Sequence, residues 1–304
     1  MFSETLQRLA VDDKQIVVVT SDSRGSGKLV PFGNKFPEQH IEVGIAEQNL
    51  VGVAAGLASC GKKVFAVSPA CFLTARAFEQ IKNDVAYSDN PVKVIGISAG
   101  VSYGALGSTH HSLHDYAALR AINNIMVVAP ADNFETKQAI ELAARTNSPI
   151  YLRFGKKNMP PLKEVNDDVF AFGKGRIITE GDDVAIIATG ETVYAALEAA
   201  KKLAAENIHA TVISMHTIKP LDTALITKLA KQCKAIITVE EHSVYGGLGE
   251  ACASFLLQHG FAKPFKIMGI PDEYTVTGSQ QEIFDHYGLN KEGIAEEVKK
   301  LLKL

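Results

Sequence analysis

The stretch Ile16-Val17-Val18-Val19 places four β-branched residues in a row near the start of a 304-residue chain. A continuous run of this kind is typical of a strand that is buried on both faces, as in a parallel sheet. A second run, Ala185-Ile186-Ile187-Ala188, repeats the pattern in the later half of the chain. Because such runs alternate with longer helical patterns, the sequence predicts an α/β fold made of doubly wound layers.

Nine strand-like runs and several helical stretches organise the chain. The predicted strands are Gln15–Val19, Lys63–Val67, Val92–Ser98, Ile125–Ala129, Ile150–Phe154, Val184–Thr189, His209–Ser214, Ala235–Glu240 and Phe265–Ile270. The predicted helices include Ala46–Ser59, Ala75–Ala86 and Thr192–Ala205. The segment 156–181 contains Pro160-Pro161 and several charges, which indicates a linker with a short extended piece. We therefore expect two domains, residues 1–165 and residues 166–304.

Composition excludes several classes of protein. Hydrophobic residues make up 46% of the chain and charged residues 21%, which favours a globular protein over a disordered one. The net charge of −3 and the lack of a basic run give no reason to expect nucleic acid or an anionic membrane surface as a partner. No apolar stretch reaches the ~20 residues that span a bilayer, and no signal peptide is evident. We expect a cytoplasmic protein whose four cysteines stay reduced.

The chemistry of an open parallel sheet gathers beyond the carboxyl ends of its strands. In the first half, that rule selects the segments 21–26, 69–72, 98–111 and 131–132, together with Glu47. In the second half it selects 190–192, His216 and 240–249. The glycines of Gly246-Gly247-Leu248-Gly249 resemble a phosphate-binding loop, but a tight strand-to-helix turn explains them more simply.

Glu47 opens a helical stretch rich in small residues, and two interpretations of it remain open. A glutamate in the first turn of a helix is favoured by the helix dipole. Alternatively, close packing by Ile45, Leu50 and Val51 would desolvate the carboxylate and favour a shared proton, as in a catalytic group.

The segment from Ser98 to Asp115 is a glycine-rich loop that contains His110, His111 and His114. Long loops in compact domains are often functional. His110 and His114, four residues apart, would face the same way only in a helix, which the preceding glycines argue against, and no third metal ligand is evident for that pair. Proton transfer or substrate binding is therefore preferred, and no metal site is expected in this chain.

Taken together, these motifs resemble the C-terminal half of the transketolase family. Glu42-Val43-Gly44-Ile45-Ala46-Glu47-Gln48 is similar to the glutamate motif of transketolases and 1-deoxyxylulose-5-phosphate synthases. Gly107-Ser108-Thr109-His110-His111 resembles their glycine-x-threonine-histidine-glutamine loop. Asn124 to Asp132 resembles a family strand that leads into a proline-x-aspartate turn. The segment 239–249, with its Glu-Glu-His and Gly-Gly-Leu-Gly, resembles the family's C-terminal domain. The similarity covers essentially the whole chain, in the correct order.

The resemblance implies thiamine diphosphate as cofactor and assigns roles to three residues in holding it. Glu47 aligns with the glutamate that hydrogen-bonds a ring nitrogen of the aminopyrimidine and so activates the cofactor. Phe72 is the preferred residue for stacking on the pyrimidine, and Phe78 is the alternative, although the register there is uncertain by one residue. An ordinary core position is the competing interpretation for Phe72.

The resemblance also assigns residues to the substrate, a sugar phosphate. His110 aligns with a histidine that contacts substrate oxygens and assists proton transfer. Asp22 and Ser26 fall in an active-site loop, and Lys156 aligns with an arginine that binds phosphate. Ser98 stands where a histidine or arginine is expected, His111 replaces a glutamine, and Leu106 replaces an aspartate that binds a sugar hydroxyl. These departures leave the identity of the sugar open.

Neither the Gly-Asp-Gly motif nor the downstream asparagine that bind the diphosphate through a metal ion is found in this sequence. A Mg²⁺ or Ca²⁺ ion needs its own oxygen ligands, so we expect a separate N-terminal-half subunit to supply them. The implied assembly is a split transketolase, an α₂β₂ heterotetramer with a dimer of this chain at its centre, that acts in pentose phosphate metabolism.

Two other functions fit parts of the same pattern. The β subunit of a 2-oxo-acid dehydrogenase E1 component has the same two domains, but Ala46-Glu47-Gln48 and Thr109-His110 favour transketolase over it. A 1-deoxyxylulose-5-phosphate-synthase-like enzyme belongs to the same enzymatic alternative. A degenerate regulatory or structural subunit is the non-enzymatic alternative, and the retained Glu47 and His110 weigh against it.

Overall fold

A computed structural model describes residues 1–162 and 170–304, which fold around two α/β sheets. The strands are β1 Ile16–Thr20, β2 His40–Glu42, β3 Lys63–Pro69, β4 Lys93–Ile97, β5 Met126–Val128, β6 Ile150–Arg153, β7 Arg176–Thr179, β8 Val184–Ala188, β9 Ala210–Ser214, β10 Thr217–Lys219, β11 Ala235–Ser243 and β12 Phe265–Ile270. The α-helices are α1 Phe2–Asp12, α2 Val30–Lys35, α3 Glu47–Ser59, α4 Ala70–Arg76, α5 Phe78–Gln80, α6 Asp115–Arg120, α7 Asn133–Arg145, α8 Thr192–Ala204, α9 Thr223–Gln232, α10 Leu248–Gln258, α11 Gln280–His286 and α12 Lys291–Leu302. Short 3₁₀ turns occur at Pro37–Gln39 and Gly104–Leu106, and a π-helical turn spans Ile81–Tyr87.

The first sheet has the strand order β10-β5-β6-β4-β3-β1-β2, and all its strands except β10 run parallel. Both faces of this sheet are covered by helices, which explains the continuous apolar run in β1. Ile16 and Val18 pack on one face with residues of α1 and α7, whereas Val17 and Val19 pack on the other with residues of α3. Side chains alternate between the faces of a strand, so four apolar residues in succession serve two separate cores.

The second sheet has the order β12-β11-β8-β9-β7, with β7 antiparallel at its edge. Ile186 belongs to the core beneath α8 and α12, and Ile187 belongs to the core beneath α9 and α10. The doubly wound α/β fold predicted for both halves is confirmed.

All nine predicted strands are present, with bounds shifted by a few residues. The sequence did not predict β2 and β10, because three-residue strands are too short for a hydrophobic run to mark them. Strand β7 corresponds to the extended piece expected within the linker.

The single helix predicted over Ala75–Ala86 is wrong. Helix α4 begins earlier, at Ala70, and ends at Arg76; Ala77 then has non-helical angles (φ −100°, ψ 22°) before α5 and the π-helical turn. No glycine or proline marks this break in the sequence. Ala77 and Ile81 are both fully buried, and we attribute the break to their packing, which outweighs local propensity.

The domain boundary placed between residues 165 and 166 lies within 163–169, outside the described residues. Strand β10 adds a feature that sequence order does not suggest. Although it follows β9 of the second sheet, it pairs with β5 and closes the edge of the first sheet, with Thr217 opposite Val128. Ile218 is buried in the first domain's core beside Tyr116 and Val127.

No helix in residues 1–162 or 170–304 is long and apolar enough to cross a membrane.

Replacing Ile218 with alanine should loosen the first domain although the residue belongs to the later part of the chain. Truncating a buried isoleucine costs about 2–5 kcal/mol of unfolding free energy. Ile226→Ala is the matched control, because Ile226 is fully buried in a core of the second sheet. Native-state hydrogen exchange should rise in residues 116–129 for Ile218→Ala and not for Ile226→Ala. Equal exchange in the two variants would contradict the assignment of β10 to the first sheet.

Candidate active site

The candidate site lies at the carboxyl edge of the first sheet, where the loops after β1, β3, β4 and β6 follow parallel strands. Parallel strands end at the same edge, so their following loops converge there. Within the described residues these loops carry most of the side chains that the sequence selected. Glu47 joins them from the turn after β2.

Glu47 is the first residue of α3, and its side chain is only 4% exposed. Arg76, half exposed at the end of α4, places Nη1 3.0 Å from both oxygens of the Glu47 carboxylate. Leu50 and Val51 are buried beside it as expected, but Ile45 is 73% exposed and does not cover the carboxylate. The carboxylate is thus buried, lies in the first turn of a helix and is paired with the guanidinium of Arg76.

Phe72 lies next to this ion pair. The guanidinium carbon of Arg76 is 4.4 Å from the centre of the Phe72 ring, so Arg76 contacts Glu47 and Phe72 at once. Phe78 follows the break at Ala77 and packs against the core beneath α3. The geometry favours Phe72 over Phe78 as the aromatic neighbour of Glu47.

His110 is on the other side of Phe72. Its ring meets Phe72 edge-on at 5.3 Å between centroids, and Tyr103 at 5.6 Å. Nδ1 is 3.0 Å from the hydroxyl of Thr109, and within the described residues Nε2 has no hydrogen-bond partner. Nε2 is therefore the nitrogen available for a substrate oxygen or a proton.

Lys156 closes this series of contacts, with its Nζ 4.4 Å from the centre of the Tyr103 ring. An exposed ammonium over an aromatic face keeps its charge available to an anion. A cavity of about 330 Å³ is lined by Lys156, Ser26, Lys28 and Lys157 among others. Ser26 and Lys156, predicted to bind substrate phosphate, thus line one cavity, whose three lysines are accompanied by the carboxylates of Glu4, Asp132 and Glu191.

His111 differs from His110 in being buried and fully engaged. Its Nε2 is 3.0 Å from the carbonyl oxygen of Gly104, so Nε2 carries the hydrogen, and Nδ1 accepts from the Thr275 hydroxyl at 2.6 Å. Burial lowers the pKa of His111. The predicted role of His111 in substrate binding is not favoured by this geometry, which makes it an anchor of the loop.

Ser98 is also buried, at the end of β4, in a left-handed conformation with φ +52°. Its Oγ has no hydrogen-bond partner among the described residues. The expected substrate role for Ser98 is therefore not excluded by an internal bond, but the side chain is not open to solvent.

Glu42, the first residue of the glutamate motif, is a further residue of this site. Its Oε1 accepts from the backbone N–H groups of Asp22 (2.6 Å) and Gly44 (2.9 Å), and its Oε2 accepts from the Thr20 hydroxyl. It ties the loop of Asp22 and Ser26 to the turn before Glu47. Asp22 is exposed, with φ +51°. No sequence signal points to this role beyond the place of Glu42 at the start of the glutamate motif, because β2 was not predicted.

The carboxylate of Glu240 occupies the glycine turn Gly246–Gly249. Glu240 accepts from the N–H groups of Leu248 and Gly249 at 2.7 and 2.8 Å, and a β-carbon at Gly247 would overlap the same carboxylate. These are the donors that a phosphate would use, so this turn is structural.

The first-domain residues fit one end of thiamine diphosphate. A buried carboxylate beside a partly exposed aromatic ring matches the hydrogen-bonding and stacking needs of an aminopyrimidine. Residues 1–162 and 170–304 contain no group of three or more His, Cys, Asp or Glu side chains that could hold a metal ion.

Comparison with known proteins identifies both halves. Residues 1–161 match the family model described as "Transketolase, pyrimidine binding domain", and residues 173–294 match "Transketolase, C-terminal domain". The chain is 48% identical over 302 residues to one subunit of the apulose-4-phosphate transketolase of Phocaeicola vulgatus, covering 99% of this chain and 96% of that protein. It is 37% identical to 1-deoxy-D-xylulose-5-phosphate synthase of Gloeothece citriformis, covering 99% of this chain and 47% of that protein.

A solved structure of a split-gene transketolase, described as an inactive β4 tetramer, is similar across the whole chain. It is 37% identical, covers 100% of this chain and 97% of its own, and has a TM-score of 0.88. The chain therefore belongs to the transketolase family and corresponds to its C-terminal half, a pyrimidine-binding domain followed by the C-terminal domain.

Proposed function

We propose that the chain is the C-terminal (β) subunit of a thiamine-diphosphate-dependent transketolase, which transfers a two-carbon ketol unit from a ketose phosphate to an aldose or aldose phosphate. The observation that carries this proposal is the buried Glu47 carboxylate, joined through Arg76 to Phe72 and then to His110 at one edge of the sheet. Packing of an α/β fold does not by itself require a buried carboxylate, an aromatic ring and an imidazole to lie in contact at this edge.

Each residue has a role in the proposed reaction. Glu47 accepts a hydrogen bond from, or shares a proton with, a ring nitrogen of the cofactor's aminopyrimidine, and Phe72 stacks on that ring. The bound cofactor supplies the nucleophilic carbon that forms and breaks the carbon–carbon bond. His110 binds substrate oxygens and moves a proton through Nε2. Arg76 has to share or release the Glu47 carboxylate when the pyrimidine binds.

The cavity of Ser26 and Lys156 is the proposed phosphate site. Lysine provides a point charge where the family has an arginine, which binds phosphate through a two-pronged contact. Leu106, 54% exposed, presents an apolar surface in place of the expected aspartate. The names of the two relatives above both contain a sugar phosphate, which supports this substrate class and leaves the sugar itself open.

We further propose an N-terminal-half partner subunit that supplies the diphosphate and metal site, with Mg²⁺ or Ca²⁺. The Phocaeicola vulgatus relative is named as one subunit of its enzyme, and the similar tetramer of β chains is described as inactive. Both descriptions support an enzyme that depends on a partner chain. We propose an α₂β₂ assembly around a central dimer of this chain.

A synthase that makes 1-deoxyxylulose 5-phosphate is the second candidate, because a named synthase is 37% identical over nearly the whole chain. The donor distinguishes the two reactions. A complex that uses a ketose phosphate supports transketolase. A complex that uses pyruvate instead supports the synthase, or a 2-oxo-acid dehydrogenase component.

Glu47→Ala in the complex reconstituted with an N-terminal-half subunit should lower the rate of ketol transfer by ~100-fold or more, since it removes the group that positions a proton on the cofactor. The rate is measured with xylulose 5-phosphate as donor and ribose 5-phosphate as acceptor. Glu79→Ala is the control, because Glu79 is a nearby glutamate on α5 that has no place in the proposed site. Unchanged ketol transfer by Glu47→Ala would contradict the proposed role.

Lys156→Met should raise KM for phosphorylated sugars by roughly ten- to hundredfold, which corresponds to one charged hydrogen bond of ~1.5–3 kcal/mol. Lys156→Arg should retain most of the affinity, and Lys202→Met on the exposed face of α8 should have no effect. The comparison is made with a sugar phosphate and its unphosphorylated form. An equal change for both substrates would exclude Lys156 from the phosphate site.

A further inference from the structure

Two buried carboxylates of the second domain lie at its junction with the first domain. Glu191 precedes α8, and Glu241 lies in β11; their residues are 8% and 1% exposed. Gln280, at the start of α11, donates from Nε2 to Glu191 Oε2 at 2.6 Å and to Glu241 Oε1 at 2.8 Å. One amide nitrogen thus links two carboxylates from separate elements.

Glu241 contacts Gly100 and Val101, at the base of the loop that carries His110. The N–H of Val101 donates to Glu241 Oε1 at 2.9 Å. Gly100 has φ +59°, and a β-carbon there would overlap the Glu241 carboxyl. The carbonyl of Gly100 accepts from the N–H of Ser112 at 2.8 Å, which joins the two ends of the loop. Glu241 therefore supports the point at which the loop closes.

Glu191 supports a different part of the site in the same way. A β-carbon at Gly155 would overlap Glu191 Oε1, so the backbone at this position packs directly on the carboxylate. The next residue is Lys156, which faces Tyr103. The second domain also holds the tip of the His110 loop, because Thr275 bonds to His111 and to Ser108 Oγ (3.0 Å).

In the part of the chain that the structure describes, few positive charges lie close to the carboxylates of Glu191 and Glu241. Arg153 Nη1 is 3.7 Å from Glu241 Oε2, but its Nε bonds to Asp115 at 2.8 Å, so one guanidinium serves several carboxylates. Lys157 acts electrostatically on Glu191. Burial, followed by the charge of Glu191, raises the pKa of Glu241 to about 8, and burial raises the pKa of Glu191. Burial and mutual repulsion thus both favour the protonated form of the pair.

We propose that Glu191, Gln280 and Glu241 are positioning residues of the transketolase reaction, which set the loop of His110 at a fixed distance from Gly155–Lys156. The catalytic part of this inference, the positioning of His110 and Lys156 for the reaction, rests on the proposed function. The contacts themselves do not depend on that function. The C-terminal domain thereby acts on the substrate through two first-domain elements and touches none of the reacting atoms.

Gln280→Met tests the linkage, since methionine has a similar length and no donor. Losing both hydrogen bonds leaves two buried acceptors without this donor, which weakens the closed arrangement of the loop. Hydrogen exchange in the free chain should become roughly 10- to 100-fold faster in residues 100–112 and 155–158, the change expected for two lost buried hydrogen bonds of ~0.5–1.5 kcal/mol each. Gln281→Met is the matched control, because Gln281 is an exposed amide of the same helix that bonds to Asp285. Normal protection of both segments in a folded Gln280→Met chain would overturn the proposal.

The reconstituted enzyme gives the second readout. Gln280→Met should raise KM for the sugar phosphate and lower kcat, and thiamine diphosphate affinity should stay unchanged, because Glu47 and Phe72 do not contact the linkage. Loss of cofactor affinity together with activity would indicate general destabilisation and overturn the positioning role. If the wild-type complex transfers no ketol unit, the proposed function fails, and hydrogen exchange still decides whether the loop is held.

A pH titration of the wild-type chain tests the same contacts even if Gln280→Met does not fold. Glu241 ionises at a higher pH in the folded chain than its ordinary value of 4.5, so its contribution to stability falls as the pH rises between about 4.5 and 8. Protection factors of residues 100–112, corrected for intrinsic exchange, should fall as the pH is raised from neutrality through the pKa of Glu241. Glu241→Gln, which cannot ionise, should lose this dependence, whereas Glu240 and Glu135, with pKa values raised by burial to about 7, titrate equally in both chains. An identical pH dependence in the two chains would overturn the proposal.

Discussion

The fully buried guanidinium of Arg153 is the interaction on which the arrangement of the two domains depends. It ends β6 of the first sheet, bonds to Asp115 of the same domain, and donates from Nη2 to the carbonyl oxygen of Glu241 in the second domain at 2.7 Å. Tyr116 stacks against it at 4.4 Å. Burying a charge is expensive unless it is paired and hydrogen-bonded. Of these partners Glu241 belongs to the second domain, so the buried charge of Arg153 is satisfied in part across the contact between the two domains.

Pairing with Arg153 has opposite effects on the carboxylates around it. Burial alone would raise the pKa of Asp115, but the charges of Arg153 and His242 and two hydrogen bonds outweigh it and lower that pKa. Glu241 is equally buried but farther from the guanidinium and beside Glu191, so burial and then the charge of Glu191 raise its pKa. A single cation thus lies beside one carboxyl whose pKa is lowered and another whose pKa is raised. The difference follows from distance and from the limited number of donors.

Sequence patterns predicted the sheets and the edge where the site lies, since both follow from short-range periodicity and from the geometry of parallel strands. They also predicted that Glu47 begins a helix. They did not predict Arg76 as its partner, the break at Ala77, or the role of Glu42, because these depend on contacts between segments that are distant in sequence. Strand β10 was missed for the same reason: its three residues become a strand only against β5. The wrong expectation for Ile45 arose from taking sequence neighbours as spatial neighbours.

The two interpretations of Glu47 are compatible in the folded chain. Its place at the first turn of α3 and its bond to Arg76 both stabilise a buried carboxylate in a chain without its cofactor. A glutamate that only stabilised the start of a helix would not require the Phe72 ring and the His110 imidazole to follow it in one series of contacts. Arg76 bonds to Glu47 and stacks on Phe72, and a pyrimidine bound in the proposed way would make the same two contacts. Under the proposed function the chain has to remain folded before its partner subunit binds, and the pairing of Arg76 with the buried Glu47 carboxylate meets that requirement.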